Sequence, residues 1–156
     1  MAETTAAGGA SRLPSDARDC WLAHCDGTAM PNPGAIGVGA VLVSPTGDRH
    51  ELSLASGDRG CSNEAEAAAL LATLDAALAL GARVLRVHSD SVVLVEQTTG
   101  KDRTRIERLA VRYAAIRARF GDFASVELRW VPRRKNAEAD ALARAALGLP
   151  PKPATR

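Results

Sequence analysis

Residues 37–80, GVGAVLVSPTGDRHELSLASGDRGCSNEAEAAALLATLDAALAL, contain the change of period that decides the fold. Residues 37–43 read as a strand, apolar on both faces toward its end. Ser44-Pro45-Thr46-Gly47-Asp48 is hairpin-turn chemistry, and His50, Leu52 and Leu54 alternate in the strand that follows. From 63 to 80 an Ala/Leu-rich run without Gly or Pro predicts a helix. Ser62 is its candidate N-cap, and Gly81 stands at the expected stop.

Working outward, residues 21–26 alternate as a first strand, and GTAMPNPGAIG (27–37) is turn chemistry with two prolines. Downstream, 84–89 reads as a strand and 90–97 as a short helix closed near Gly100. Residues 103–120 form a longer helix, with Ile106, Leu109, Ala110, Tyr113, Ile116 and Phe120 at helical spacing. Val126, Leu128 and Trp130 alternate in a fifth strand stopped by Pro132, and 136–147 is a last Ala-rich helix. Tight early turns predict an antiparallel meander, and the later crossovers predict parallel additions. The expected fold class is therefore α/β: a five-stranded mixed sheet, three antiparallel strands then two parallel additions, with helices on both faces. Residues 1–18 read as a disordered tail, 20–147 as the domain, and 148–156 as a flexible C-terminal tail.

Composition narrows the function classes. The 156 residues are 46% apolar but only 3% aromatic, so Leu, Val, Ile and Ala must fill the interior. No apolar run approaches the roughly 20 residues that span a bilayer, and the first 20 residues hold no signal-peptide stretch. Cys20, Cys25 and Cys61 show no CxxC pairing, which argues against a disulfide framework or zinc site and for a reduced, cytoplasmic protein. The net charge of +2 hides an asymmetry: residues 1–98 carry −6, whereas 99–135 carry +7. That basic segment is either a polyanion footprint or a solvated face.

The chemistry lies in acids at the ends of elements. Asp26 ends the first strand, Asp90 ends the fourth, Glu64 and Glu66 open the long helix, and Asp140 lies in the last helix. Each has an ordinary explanation: an N-cap for Asp90, the helix dipole for the glutamates, an Arg144 pair for Asp140, turn chemistry for Asp26. Together, however, they converge if the predicted sheet forms, because functional groups of open α/β sheets sit at strand ends. Crowded carboxylates need a counter-charge, and oxygen ligands suit Mg²⁺ or Mn²⁺. Two such ions suit in-line phosphoryl displacement. No HExxH, CxxC or GxxxxGK[ST] pattern competes, and Gly34, Gly37 and Gly39 give GxxGxG between two strands rather than a dinucleotide motif.

Four blocks in order, CDGTAMPNPGAIGVGAVL (25–42), SNEAEAAAL (62–70), SDSVVLVEQTTG (89–100) and WVPRRKNAEADALARAAL (130–147), resemble ribonuclease H, type 1. The similarity spans roughly residues 20–147. It implies a ribonuclease H-like fold and a monomeric endonuclease that cuts the RNA strand of an RNA–DNA hybrid, with two Mg²⁺ as cofactors and Mn²⁺ as a substitute. The products would carry 3′-hydroxyl and 5′-phosphate ends. It places the four catalytic, metal-binding carboxylates at Asp26, Glu66, Asp90 and Asp140. Glu66 is preferred over Glu64 from the family pattern, since helical periodicity does not separate them. The same resemblance assigns substrate binding to Gly27, Asn32, Ser62, Asn63, Asn136 and Arg133.

The chain also departs from that pattern. Cys61-Ser62 stands where the family usually has Thr-Asn, and Val92 where it often has Gln. The loop Pro132-Arg133-Arg134-Lys135 has no His. The basic handle helix is absent, with Arg103, Arg105, Arg108 and Arg112 as partial compensation. His24 and His88, two residues before Asp26 and Asp90, read as strand residues sharing the faces of those acids. These departures leave a second possibility, a non-catalytic or altered-substrate module (for example, for double-stranded RNA) on the same fold.

Overall fold

The structure, a computed structural model, describes residues 19–101 and 103–153, so the expected tail at 1–18 lies outside the described residues. The elements are β1 (Cys20–Met30), β2 (Gly34–Val43), β3 (Arg49–Gly60), α1 (Ser62–Ala79), β4 (Val84–Ser89), α2 (Val92–Thr99), α3 (Glu107–Phe120), β5 (Ser125–Trp130) and α4 (Ala137–Ala146). A short 3₁₀ turn, Arg133–Lys135, precedes α4.

The strands form one sheet in the order β3-β2-β1-β4-β5. β1 pairs antiparallel with β2, and β2 with β3; β1 pairs parallel with β4, and β4 with β5. This is the mixed sheet expected from the sequence. β1 runs on past Asp26 to Met30, and β3 reaches Gly60, pairing it with Gly34 across a bulge near Ala35 and Gly37. The turn chemistry of 27–37 is therefore mostly strand, because pairing between β1 and β2 continues up to both sides of the Pro31–Pro33 corner.

Side chains alternate across the sheet, and the glycines show what covers each face. A Cβ on Gly27 would fall 2.0 Å from the Ala65 carbonyl oxygen, so α1 lies directly on that face of β1. A Cβ on Gly39 would fall 2.3 Å from the Ala139 carbonyl oxygen and from the Ala143 nitrogen, so α4 lies on the opposite face. Helices thus cover both faces. The Ala-rich α1 buries Ala65, Ala67, Ala69, Leu70, Leu74 and Ala77, and small side chains let it approach closely. The core continues through Ala23, Cys25, Val38, Leu85, Val87, Leu94, Leu109, Tyr113 and Ile116.

Two helix starts differ from expectation. Cys61, not Ser62, occupies the N-cap of α1, and the Cys61 N–H donates to Glu64 Oε1 at 3.0 Å. Ser91, not Asp90, caps α2, its Oγ accepting from the Leu94 N–H at 3.0 Å. Gly81 stands at φ +93° just past α1, as the stop signal requires. Among the described residues no helix is long and apolar enough to cross a membrane.

Candidate active site

Parallel pairing of β1 with β4 aligns His24 with His88. Two residues further on, Asp90 follows the end of β4 while Asp26 lies within β1, which continues to Met30, and the two carboxylates meet there. Because Ser91 caps α2, the Asp90 carboxylate is left for other contacts: its Oδ2 accepts from Asn136 Nδ2 at 3.0 Å. The Asp90 carbonyl accepts from the Trp130 indole N–H at 3.2 Å, which fixes the backbone there.

Glu66 arrives from the first turns of α1. The contact of α1 with Gly27 brings the Gly27 N–H within 3.1 Å of Glu66 Oε1. One carboxylate oxygen from each of Asp26, Glu66 and Asp90 lies within 4.8 Å of the others. Asp140 comes from the other face on α4 and stands outside that group of three, on the wall of the same cavity. Its Oδ1 stands 3.9 Å from Lys152 Nζ. All four acids line one cavity of about 680 Å³, together with Gly27, Ser62, Arg133, Arg134 and residues 151–153.

Crowding sets the electrostatics. Burial, then the charges of Glu66 and Asp90, push Asp26 up to about 11. Burial and the Asp90 charge push Glu66 up to about 7, against the pull of Asp26, the Gly27 N–H and Arg133. Such a pair holds a proton in place of a counter-charge. The donor set consists of carboxylate oxygens with no thiol or imidazole among them, so it fits hard divalent cations.

Glu64 has a different task. It is buried, and it accepts from the Cys61 N–H, from Arg108 Nε at 3.2 Å and from Arg112 Nε at 3.1 Å. Despite the upward push of burial, these donors hold its carboxyl below the usual range. Glu64 thus joins α1 to α3, whereas Glu66 faces the cavity. Helical periodicity could not separate two glutamates two positions apart.

The remaining expected residues take varied places. Asn32 Oδ1 accepts from the Ser62 N–H at 3.0 Å, so the β1–β2 corner holds the start of α1. Asn63 is half-buried in the first turn of α1. Asn136 is 1% exposed and its amide donates to Cys25 O and Asp90 Oδ2, so it grips the acid from behind rather than facing solvent. Its buried Oδ1 has no partner among the described residues. His24 and His88 stack at 4.6 Å between ring centroids on the face shared with Asp26. Val92 is exposed.

Much of the basic excess is spent internally. Arg108 and Arg112 turn to Glu64, Arg112 also to Asp58, and Arg119 to Asp75. Arg133 and Arg134 instead line the cavity. Lys152, also on its wall, escaped the sequence reading because residues 148–156 look like an ordinary polar tail; their prolines were the available signal.

Comparison with known proteins agrees with this geometry. The family described as reverse transcriptase-like matches residues 24–146. Ribonuclease HI of Halobacterium salinarum is 37% identical over 131 residues, covering 80% of this chain and 63% of that protein. The crystal structure of RNase H1 from the same archaeon superposes with a TM-score of 0.79 at 35% identity, covering 83% of this chain and 98% of that one. LC11-RNase H1 in complex with an RNA/DNA hybrid gives 0.74 at 28% identity, covering 82% and 96%. The chain spans about a third of the length of the mycobacterial curated relatives that it also matches.

Proposed function

Since the chain belongs to the reverse transcriptase-like family and carries the ribonuclease H fold, we propose that it is an endoribonuclease acting on the RNA strand of RNA–DNA hybrids, leaving 3′-hydroxyl and 5′-phosphate ends. The observation that carries this reading is the meeting of Asp26, Glu66 and Asp90 within 4.8 Å, with Asp140 lining the same cavity.

In this reading the four carboxylates hold two Mg²⁺ ions, with Mn²⁺ able to replace them. The ions supply the positive charge for in-line phosphodiester hydrolysis and for the acids themselves. The chain's own groups set the geometry. The Gly27 N–H orients Glu66, and Asn136 orients Asp90. Arg133 and Arg134 face the cavity as phosphate partners, with Ser62 on its wall. Asn32 contributes by holding Ser62 in place, and Asn63 lies one residue further along the same helix start. The hybrid held by LC11-RNase H1 favours the same substrate class here.

The test is cleavage of labelled hybrid, double-stranded RNA and single-stranded RNA side by side, in Mg²⁺ and in Mn²⁺. Wild type should cut the hybrid, and Asp26→Asn and Asp90→Asn should not. Equal activity in wild type and variants overturns the proposal. Hybrid binding by gel shift without turnover in either metal would instead support the non-catalytic module.

A further inference from the structure

Beyond α4 the described residues, through 153, stay against the domain. Gly148, at φ +75°, turns the chain, and the Leu149 N–H donates to Arg144 O at 2.9 Å. Arg144 Nε then donates to the Pro150 carbonyl at 2.7 Å. Residues 150–153 read Pro-Pro-Lys-Pro, so three of the four have φ fixed by a ring. Pro-rich segments are stiff and extended, so a side chain carried on one loses less freedom when it is held in place. Pro151, Lys152 and Pro153 all line the cavity of the four acids, and the Lys152 ammonium stands 3.9 Å from Asp140 Oδ1.

We propose that residues 150–153 form an intramolecular strap whose Lys152 ammonium serves as a tethered counter-cation for the acidic cluster, and that a divalent cation entering at Asp140 displaces it. The inference rests on the divalent-cation reading above. A positive group fastened beside a carboxylate lowers the affinity of that carboxylate for any second cation, and moves away when the second cation carries more charge. The ammonium is half-exposed and its contact is long, so the competition is modest. The Arg144–Pro150 hydrogen bond keeps the lysine near at high effective concentration.

The experiment is titration calorimetry of Mg²⁺ and Mn²⁺ into the full chain and into Lys152→Gln and Arg144→Gln. Arg144→Gln keeps the lysine and removes its anchor. Both variants should bind metal tighter, Lys152→Gln by about two- to fivefold, and the gap should shrink in high salt. A second readout is backbone ¹⁵N relaxation at Lys152. It should be ordered in the metal-free wild type, and mobile in Asp140→Asn or after saturation with Mg²⁺. Equal, measurable affinity in wild type and both variants overturns the strap while leaving the metal reading intact. No metal binding in any of the three overturns both. A Lys152 as mobile in wild type as in Asp140→Asn overturns the tether by itself.

Discussion

Replacing Asp26 with Asn should stabilise the metal-free protein while abolishing cleavage. Asp26 is 5% exposed and is pushed up to about 11 by burial and by the charges of Glu66 and Asp90. In the unfolded chain it titrates near its ordinary 3.8. The folded state therefore binds more protons than the unfolded state between these values, and stability falls as pH rises through that window. At pH 7 the cost is about 4 kcal/mol, at 1.36 kcal/mol per pH unit above 3.8. Asn keeps the shape, can donate to a neighbouring carboxylate and never ionises, so it removes that cost. Thermal unfolding in EDTA should show Asp26→Asn melting higher than wild type at pH 7, by on the order of 10 °C. The difference should shrink steeply toward pH 4 and vanish below about pH 3, where the wild-type carboxyl is protonated in both states. Divalent cations should raise the wild-type midpoint and leave that of the variant nearly unchanged. A variant that melts lower than wild type, or by an equal margin at pH 4 and 7, would refute this account of the crowded site.

Further outcomes follow from single contacts. Glu64→Gln should destabilise the fold by about 1–3 kcal/mol in urea titration, by weakening the hold on Arg108 and Arg112, with cleavage per folded molecule unchanged. Because its carboxyl lies below the usual range, the Glu64 contribution should be present above its ordinary 4.5 and be lost as pH falls through the lowered value. Glu66→Gln should do the reverse, losing cleavage with no loss of stability in EDTA. Asn136→Ala should lower metal affinity or turnover by about 10–100-fold, since it removes the donor that orients Asp90; unchanged kinetics would deny it a positioning role. Gly39→Ala should cost about 1–3 kcal/mol in chemical denaturation, because its methyl would fall 2.3 Å from the Ala139 carbonyl oxygen.

The period change at residues 37–80 was enough to place the meander and the long helix, since alternation and helical spacing are local properties. β4 was legible to the residue because it is bounded by polar and turn residues on both sides. The helix starts were not, because Ser62 and Cys61 compete for one cap and Ser91 competes with Asp90; backbone geometry, not residue type, chose between them. The end of β4 just before Asp90 could be located in advance, whereas β1 runs four residues past Asp26, and nothing local says that Glu66 rather than Glu64 turns inward. That choice depends on Arg108 and Arg112, more than 40 residues further along, which claim Glu64. Asn136 illustrates the same limit: only the resemblance singled it out, and its hydrogen bond to Asp90 became visible once α4 was docked on the sheet.

The bare backbone of β2 carries a consequence for the whole assembly. Gly37 and Gly39 leave room for α4 to rest against the strand, with Ala143 and Leu147 over the first and Ala139 over the second. Asp140 rides on that helix, so its reach toward Asp26 is set by how thin the sheet is at those two points. Missing atoms act here as a spacer of zero thickness. A lineage that widened the gap by a methyl would have to find a longer acid, or rebuild the helix, to close the same circle of oxygens.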